Sequence, residues 1–233
     1  MHKKRLGLLL AGGILLVGCA LLLYAPINQW LEGRRQSEVC AAYADATNGM
    51  DNSDAERELS KARQHNRDLS ERVALSDPFQ TPDDTDTTDY DALLRASTDG
   101  VMAYVEIPKI NVSLPVYHGV SSNVLNKGVG HLPETSLPVG GESTHTVLAG
   151  HSGMSHARLF TDLTKLAEGD QFYIHVYGKK LCYKVNQIKK VRPWETADLN
   201  IVEGQDYVTL LTCVPIAVNS HRLLVRGVRT DDS

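Results

Sequence analysis

Tyr207-Val208-Thr209-Leu210-Leu211-Thr212-Cys213-Val214-Pro215, followed by Asn219-Ser220-His221-Arg222-Leu223-Leu224-Val225-Arg226-Gly227, is the stretch on which the reading of this chain turns. Apolar and β-branched residues dominate both segments, so each reads as a strand. The first ends on a cysteine, a short loop opened by Pro215 follows, and the second begins on an arginine. A thiol and a fixed cation therefore stand at neighbouring strand ends. Thiolate is the reactive form of cysteine, and a nearby guanidinium both favours it and can hold an anionic intermediate. A lone cysteine is as readily a small buried core residue. What sets Cys213 apart is its company.

That company is Thr144-His145-Thr146-Val147-Leu148-Ala149-Gly150-His151-Ser152-Gly153-Met154, a short apolar strand that runs into a histidine between small residues. Histidine is the usual partner of a catalytic cysteine, and the two need meet only in the folded chain. The Thr-Leu-x-Thr-Cys strand, the arginine nine positions on and the upstream Gly-His-Ser-Gly together resemble a sortase, the membrane-anchored cysteine transpeptidases of Gram-positive bacteria. The resemblance runs from about Met102 to Arg229. A fourth element, Asp77-Pro78-Phe79, resembles the lid of the class C, pilin-polymerising sortases.

Composition sets bounds of its own. A chain of 233 residues, 42% hydrophobic, can bury one sizeable core, and a net charge of −4 leaves no basic surface suited to nucleic acid. The run Leu6–Ile27 carries no charge and is long enough for a membrane span, with Lys3, Lys4 and Arg5 before it. This arrangement predicts a single-pass cell-membrane protein with its amino terminus inside and the catalytic domain on the extracellular face. A cleaved signal peptide would need a shorter apolar region and a small-x-small site, which Leu23-Tyr24-Ala25-Pro26 does not supply. Leu16-Val17-Gly18-Cys19 resembles a lipoprotein processing box, but the apolar run continues past the cysteine. Cys40 and Cys182 are read as unpaired.

Charged and helix-forming residues follow the span. Leu59, Arg63, Leu69 and Val73 recur at near-helical spacing, and Ser53 or Asp54 can cap their helix. Two helices joined near Gly49–Asn52 are expected to hold the domain off the membrane and to pack on its flank. Ser76–Asp91, rich in Asp, Thr and Pro, reads as a loop. Beyond Val101 short strands follow one another: Met102–Ile107, Val112–Tyr117, Thr144–Leu148, Gln171–Tyr177 and Leu181–Val185, with a hairpin tip at Gly178-Lys179-Lys180 and a helical signal at Arg158–Leu166. Mainly β structure with an occasional helix implies a closed barrel or sandwich, which the resemblance sharpens to the eight-stranded sortase barrel. The expected organisation is a cytoplasmic tail (1–5), a transmembrane anchor (6–27), a helical arm (28–75), a lid and linker (76–100) and a sortase catalytic barrel (101–230).

The resemblance implies Cys213 as nucleophile on an LPXTG-like sorting signal, cleaved between Thr and Gly, with the acyl product passed to an amine. His151 suits the general acid and then base, because imidazole titrates near working pH. Arg222 suits the oxyanion or the substrate backbone, because its charge is permanent. Asp77, Pro78 and Phe79 would form the lid, with Asp77 paired to Arg222 and Phe79 covering Cys213. Expected partners are pilins or surface proteins with such signals; joining through a pilin lysine is set against anchoring to a cell-wall precursor. No cofactor or metal is expected: His145, His151 and His156 have no metal-ligand spacing. Two other classes stay in view: a hydrolase with Ser152 as nucleophile, suggested by Gly150-His151-Ser152-Gly153-Met154, and a non-catalytic barrel that binds peptide or cell-wall polymer. Against the class C pattern, the tail Arg229–Ser233 is polar where a second span is common, and Ile216 stands where an aromatic residue is frequent.

Overall fold

A computed structural model describes residues 2–69, 77, 79, 88–96 and 99–231, the side chains of 2–11 and 88 aside. Residues 70–75 of the expected arm, Pro78 of the expected lid and most of the linker lie outside the described residues.

Two helices lead into the barrel. Helix α1 (His2–Asn48) runs unbroken through Pro26. Its apolar part is long enough to cross a membrane, and side chains such as Ile14 and Leu22 lie bare, 74% and 79% exposed. Past Ile27 the same helix packs on the flank of the barrel. Gln29 donates from Nε2 to the Met154 carbonyl (3.3 Å), and buried Tyr43 donates its hydroxyl to Met102 O (2.7 Å). Helix α2 (Asn52–Leu69) buries Ala55, Leu59, Ala62 and Asn66, one stripe of its surface. Its cap is Asp51, upstream of the expected Ser53 or Asp54. The Asp51 carboxylate accepts from the Ser53 N–H (2.7 Å), the short reach that suits aspartate to this position. All four cysteines are free, and burial pushes the Cys40 thiol up to about 12.

After a single-turn α3 (Thr88–Asp91), eight strands close into a barrel in the order β1-β2-β3-β4-β7-β8-β6-β5. They are β1 (Val101–Ile107), β2 (Val112–His118), β3 (Val129–His131), β4 (Thr144–Ala149), β5 (Gln171–Val176), β6 (Lys179–Val191), β7 (Asp206–Val214) and β8 (His221–Thr230), with α4 (Ser122–Lys127) between β2 and β3. Only β2/β3 and β4/β7 run parallel. Inside lie fully buried Met102, Ile107, Leu148, Phe172 and Tyr183, the last two rings stacked at 5.7 Å.

Some local expectations shift. The hairpin turns on Tyr177-Gly178, both at positive φ (45° and 73°), and Lys179 already pairs with Val176. Two such residues make the turn whose twist matches the strands it joins. Strand β6 runs to Val191, beyond the expected Val185, because a register shift between Val185 and Gln187 carries its polar second half along β8. Three-residue β3 is too short to show a period in sequence. Arg158–Leu166 buries Leu159, Phe160, Leu163 and Leu166 but forms only a 3₁₀ turn at Thr161–Lys165, not an α-helix.

Candidate active site

Strand register does most of the assembly. Strands β7 and β8 are antiparallel neighbours in which Cys213 stands directly opposite Arg222, so both side chains leave one face of the sheet. On the other side of β7, β4 runs parallel with Ala149 beside Leu211, which brings His151, two residues past β4, abreast of Cys213. Three consecutive strands thus deliver a thiol, an imidazole and a guanidinium to one end of the barrel.

The loop that carries His151 is stitched to β7. The Gly150 N–H donates to Leu211 O (3.0 Å), the Thr212 hydroxyl donates to Gly150 O (2.7 Å), and the Ser152 hydroxyl donates to Cys213 O (2.6 Å). Gly150 has to be glycine here, since a Cβ would stand 2.8 Å from the Phe160 ring. Gly153 combines φ +73° with Ile216 pressed against it, at 2.2 Å from where a Cβ would be. Ser152 was weighed above as a nucleophile. Its proton points at a carbonyl, not at a base, so in this arrangement it is a brace.

Asp77 and Phe79 cap this end. Arg222 donates from Nε and Nη2 to the two oxygens of Asp77 (2.9 and 2.6 Å), and from Nη1 to Asn219 O (3.0 Å) and His221 O (3.2 Å). The paired side chains are 6% and 7% exposed. The Phe79 ring lies 5.6 Å from the His151 ring and 5.1 Å from the Arg222 guanidinium carbon, against the cluster of Leu132, Val147, Leu199, Leu211 and Leu224. The ring contacts of Phe79 are therefore with the imidazole and the guanidinium, the neighbours of the cysteine it was expected to cover.

Electrostatics keep the capped site neutral. Burial pushes the Cys213 thiol up; the Arg222 charge pulls it down, and the Asp77 carboxylate pushes it up again. Burial pulls the His151 imidazole below its usual range, with the nearby His156 adding to the effect. A thiol beside an uncharged imidazole follows at neutral pH. Two other histidines, His145 and His131, are structural. His145 is buried between Asn200 O (2.9 Å) and the Thr209 hydroxyl (2.8 Å), and His131 between Tyr90 and Ser136 O. Among the described residues no group of three His, Cys, Asp or Glu is arranged to hold a metal ion. Sequence reasoning missed the Ser152 and Thr212 braces, whose only sequence signal was a hydroxyl beside each key residue.

The Sortase domain family matches residues 105–230, more than half of the chain. The protein belongs to the sortase family of cysteine transpeptidases. In structure it is similar to class C sortases. Sortase C-1 from Actinomyces oris is 48% identical, with 76% of this chain and 99% of that chain covered and a TM-score of 0.73. Sortase C of Streptococcus pneumoniae is 41% identical, with 84% and 97% covered and a TM-score of 0.77; its description links that enzyme to pilin substrates. In sequence, sortase A of Bacillus anthracis is 31% identical over 146 residues, 61% of this chain and 67% of its own length.

Proposed function

We propose that this protein is a pilin-polymerising sortase anchored in the cell membrane, with its barrel outside, that cleaves an LPXTG-like sorting signal between Thr and Gly. The opposed pair Cys213/Arg222 beside His151, under Asp77 and Phe79, carries this reading. His151 takes the Cys213 thiol proton as the sulfur attacks the Thr carbonyl, and the thioester forms as the glycine amine leaves with that proton. Arg222 donates to the oxyanion or to the substrate backbone. An incoming lysine amine of the next pilin then gives a proton to His151 and takes the acyl group, so an isopeptide bond replaces the thioester.

Asp77 competes with substrate for Arg222. While it is bound, the guanidinium is turned to a carboxylate that also raises the thiol, so the closed form is poorly nucleophilic. Withdrawal of Asp77 leaves Arg222 to favour thiolate, and departure of Phe79 uncovers His151. A substrate or membrane partner opens the lid by binding the open form more tightly.

Incubation of the full chain with a pilin that carries a sorting signal tests this. A ladder of covalent multimers is expected, absent in Cys213→Ala and reduced roughly 100-fold or more in kcat for Arg222→Ala, the usual scale for one oxyanion donor. A single amide product on a small cell-wall amine, without a ladder, would instead select anchoring.

A further inference from the structure

The loop between β7 and β8 breaks the pattern of a turn in water. Pro215, Ile216, Ala217 and Val218 are all exposed, Ile216 by 50% and Val218 by 68%. Surface turns draw on Gly, Asn, Asp and Ser, yet here a left-handed position (φ 69°) is held by Ala217. Single exposed apolar side chains are ordinary, whereas four in a row at a loop tip mark a surface with a partner. The tip is also fixed in shape. The Val218 and Asn219 N–H groups both donate to Pro215 O (3.1 and 2.9 Å), and Asn219 O accepts from Arg222.

The height of the tip identifies that partner, a step that rests on the reading of 6–27 as a membrane anchor. At one end of the contact between α1 and the barrel, Asn48 lies against Gly178 in the β5–β6 hairpin; at the other, Gln29 bonds Met154 O. The β7–β8 loop belongs to the Gln29 end. Along the β6/β8 ladder, Cys182 pairs with Thr230 beside the hairpin and Val191 with Arg222 at the opposite extreme. About 28 Å of helix separates Gln29 from Asn48, so the hairpin stands away from the bilayer and the β7–β8 end toward it. Gln29 is only about 3 Å of helix rise past Ile27, and helical side chains lean toward the amino terminus. Met154 O is therefore level with the polar layer that extends roughly 5–7 Å beyond the hydrocarbon. Gly153 precedes Met154, and Ile216 packs on Gly153, which puts the apolar tip beside that level. Exposed Trp30 follows Gln29 and is of the residue type that collects at this depth. Neither 150–158 nor 214–222 contains an acid, so neither loop repels anionic headgroups.

We infer that the 215–218 tip seats in the interfacial layer of the bilayer that holds α1, as a second foothold for the barrel. Lipid covers Ile216 and Val218. Two points of attachment fix the tilt at which the site stands over the membrane, and the tip steadies the backbone whose Asn219 carbonyl holds Arg222.

The full chain, reconstituted in phosphatidylcholine vesicles, provides the test. Carbonate washing scores the anchor, and quenching by lipid brominated near the top of its acyl chains scores the tip. The wild type should resist the wash. With W30F/W194F as background, V218W should lose more than half of its emission to brominated lipid, and K180W, at the hairpin end, almost none. A readout without added tryptophan is hydrogen exchange: V218D should melt as the wild type does, but protection of the Ile216 and Ala217 amides in vesicles should fall several-fold. Equal quenching of V218W and K180W, or equal protection in the wild type and V218D, would overturn the foothold while leaving the anchor intact. Blue-shifted V218W emission that bromine does not quench would mean that protein covers the tip, a second copy or a bound peptide, and would overturn the lipid assignment. A wild-type chain washed off by carbonate would overturn the anchor reading and this inference together.

Discussion

Two side chains from upstream of the barrel grip it with a pair of hydrogen bonds each, and they differ in what they leave behind. Asn66 of α2, 3% exposed, donates to Leu137 O (3.1 Å) and accepts from the Leu137 N–H (2.7 Å). Asp77 accepts twice from Arg222. Without Asn66, the Leu137 carbonyl keeps the Val139 N–H (2.8 Å), but its own N–H is orphaned in the core. Without Asp77, Arg222 keeps Asn219 O and His221 O. The first grip is a staple whose loss strands a buried donor. The second is a latch whose release leaves the cation partly satisfied and turned to whatever enters. Similar hydrogen-bond counts therefore support permanent attachment in one place and a reversible cover in the other.

Acid should give the largest effect and act on the barrel side of this contrast. Burial holds His131 at about 3 and His145 at about 4, both below the unfolded value near 6.5. As pH falls below about 6.5 the unfolded chain takes up these protons first, so stability is full above that point and is lost toward the folded values. About 2 kcal/mol from each histidine should be gone at pH 5, read as a lower urea midpoint. An unchanged midpoint would mean that neither site resists protonation.

Asn66→Ala should come next. A buried unsatisfied N–H and two lost bonds are worth about 2–3 kcal/mol, seen as a lower Tm, with per-site thiol reactivity little altered. If reactivity rose instead, α2 would belong to the latch. Asp77→Ala should do the reverse. Loss of a charge-assisted pair worth about 1.5–3 kcal/mol predicts roughly 10- to 100-fold faster alkylation of Cys213 by iodoacetamide, with its pH midpoint moved down because the carboxylate that raised the thiol is gone. An equal rate in the two chains would end the latch. Ser152→Ala should be the smallest, a loss of about 1 kcal/mol of bracing seen as a several-fold lower kcat. Complete inactivity would restore Ser152 as a chemical participant.

How legible each part was follows from the range over which its signal acts. Strands β1, β2, β4, β5, β7 and β8 announce themselves because apolar runs and turn residues are local. So does the site trio, because each member sits at the end of such a strand. Strand β3, held between β2 and β4, and the polar half of β6, held along β8, were hidden, since neighbours and not a pattern of their own keep them in place. The 3₁₀ turn at Thr161–Lys165 shows the converse: apolar spacing predicted burial correctly, but packing chose a tighter backbone than an α-helix.

Sequence by itself determined that this chain carries a membrane-length apolar helix, a run of short strands, and a thiol, an imidazole and a guanidinium at or just beyond strand ends, because propensity, periodicity and residue chemistry are written locally. Tertiary structure alone decided that β4, β7 and β8 are adjacent and in register, and that Asp77 reaches Arg222 across 145 positions. Those outcomes depend on which groups become neighbours when water is excluded. That is a property of the closed barrel and of no segment taken alone.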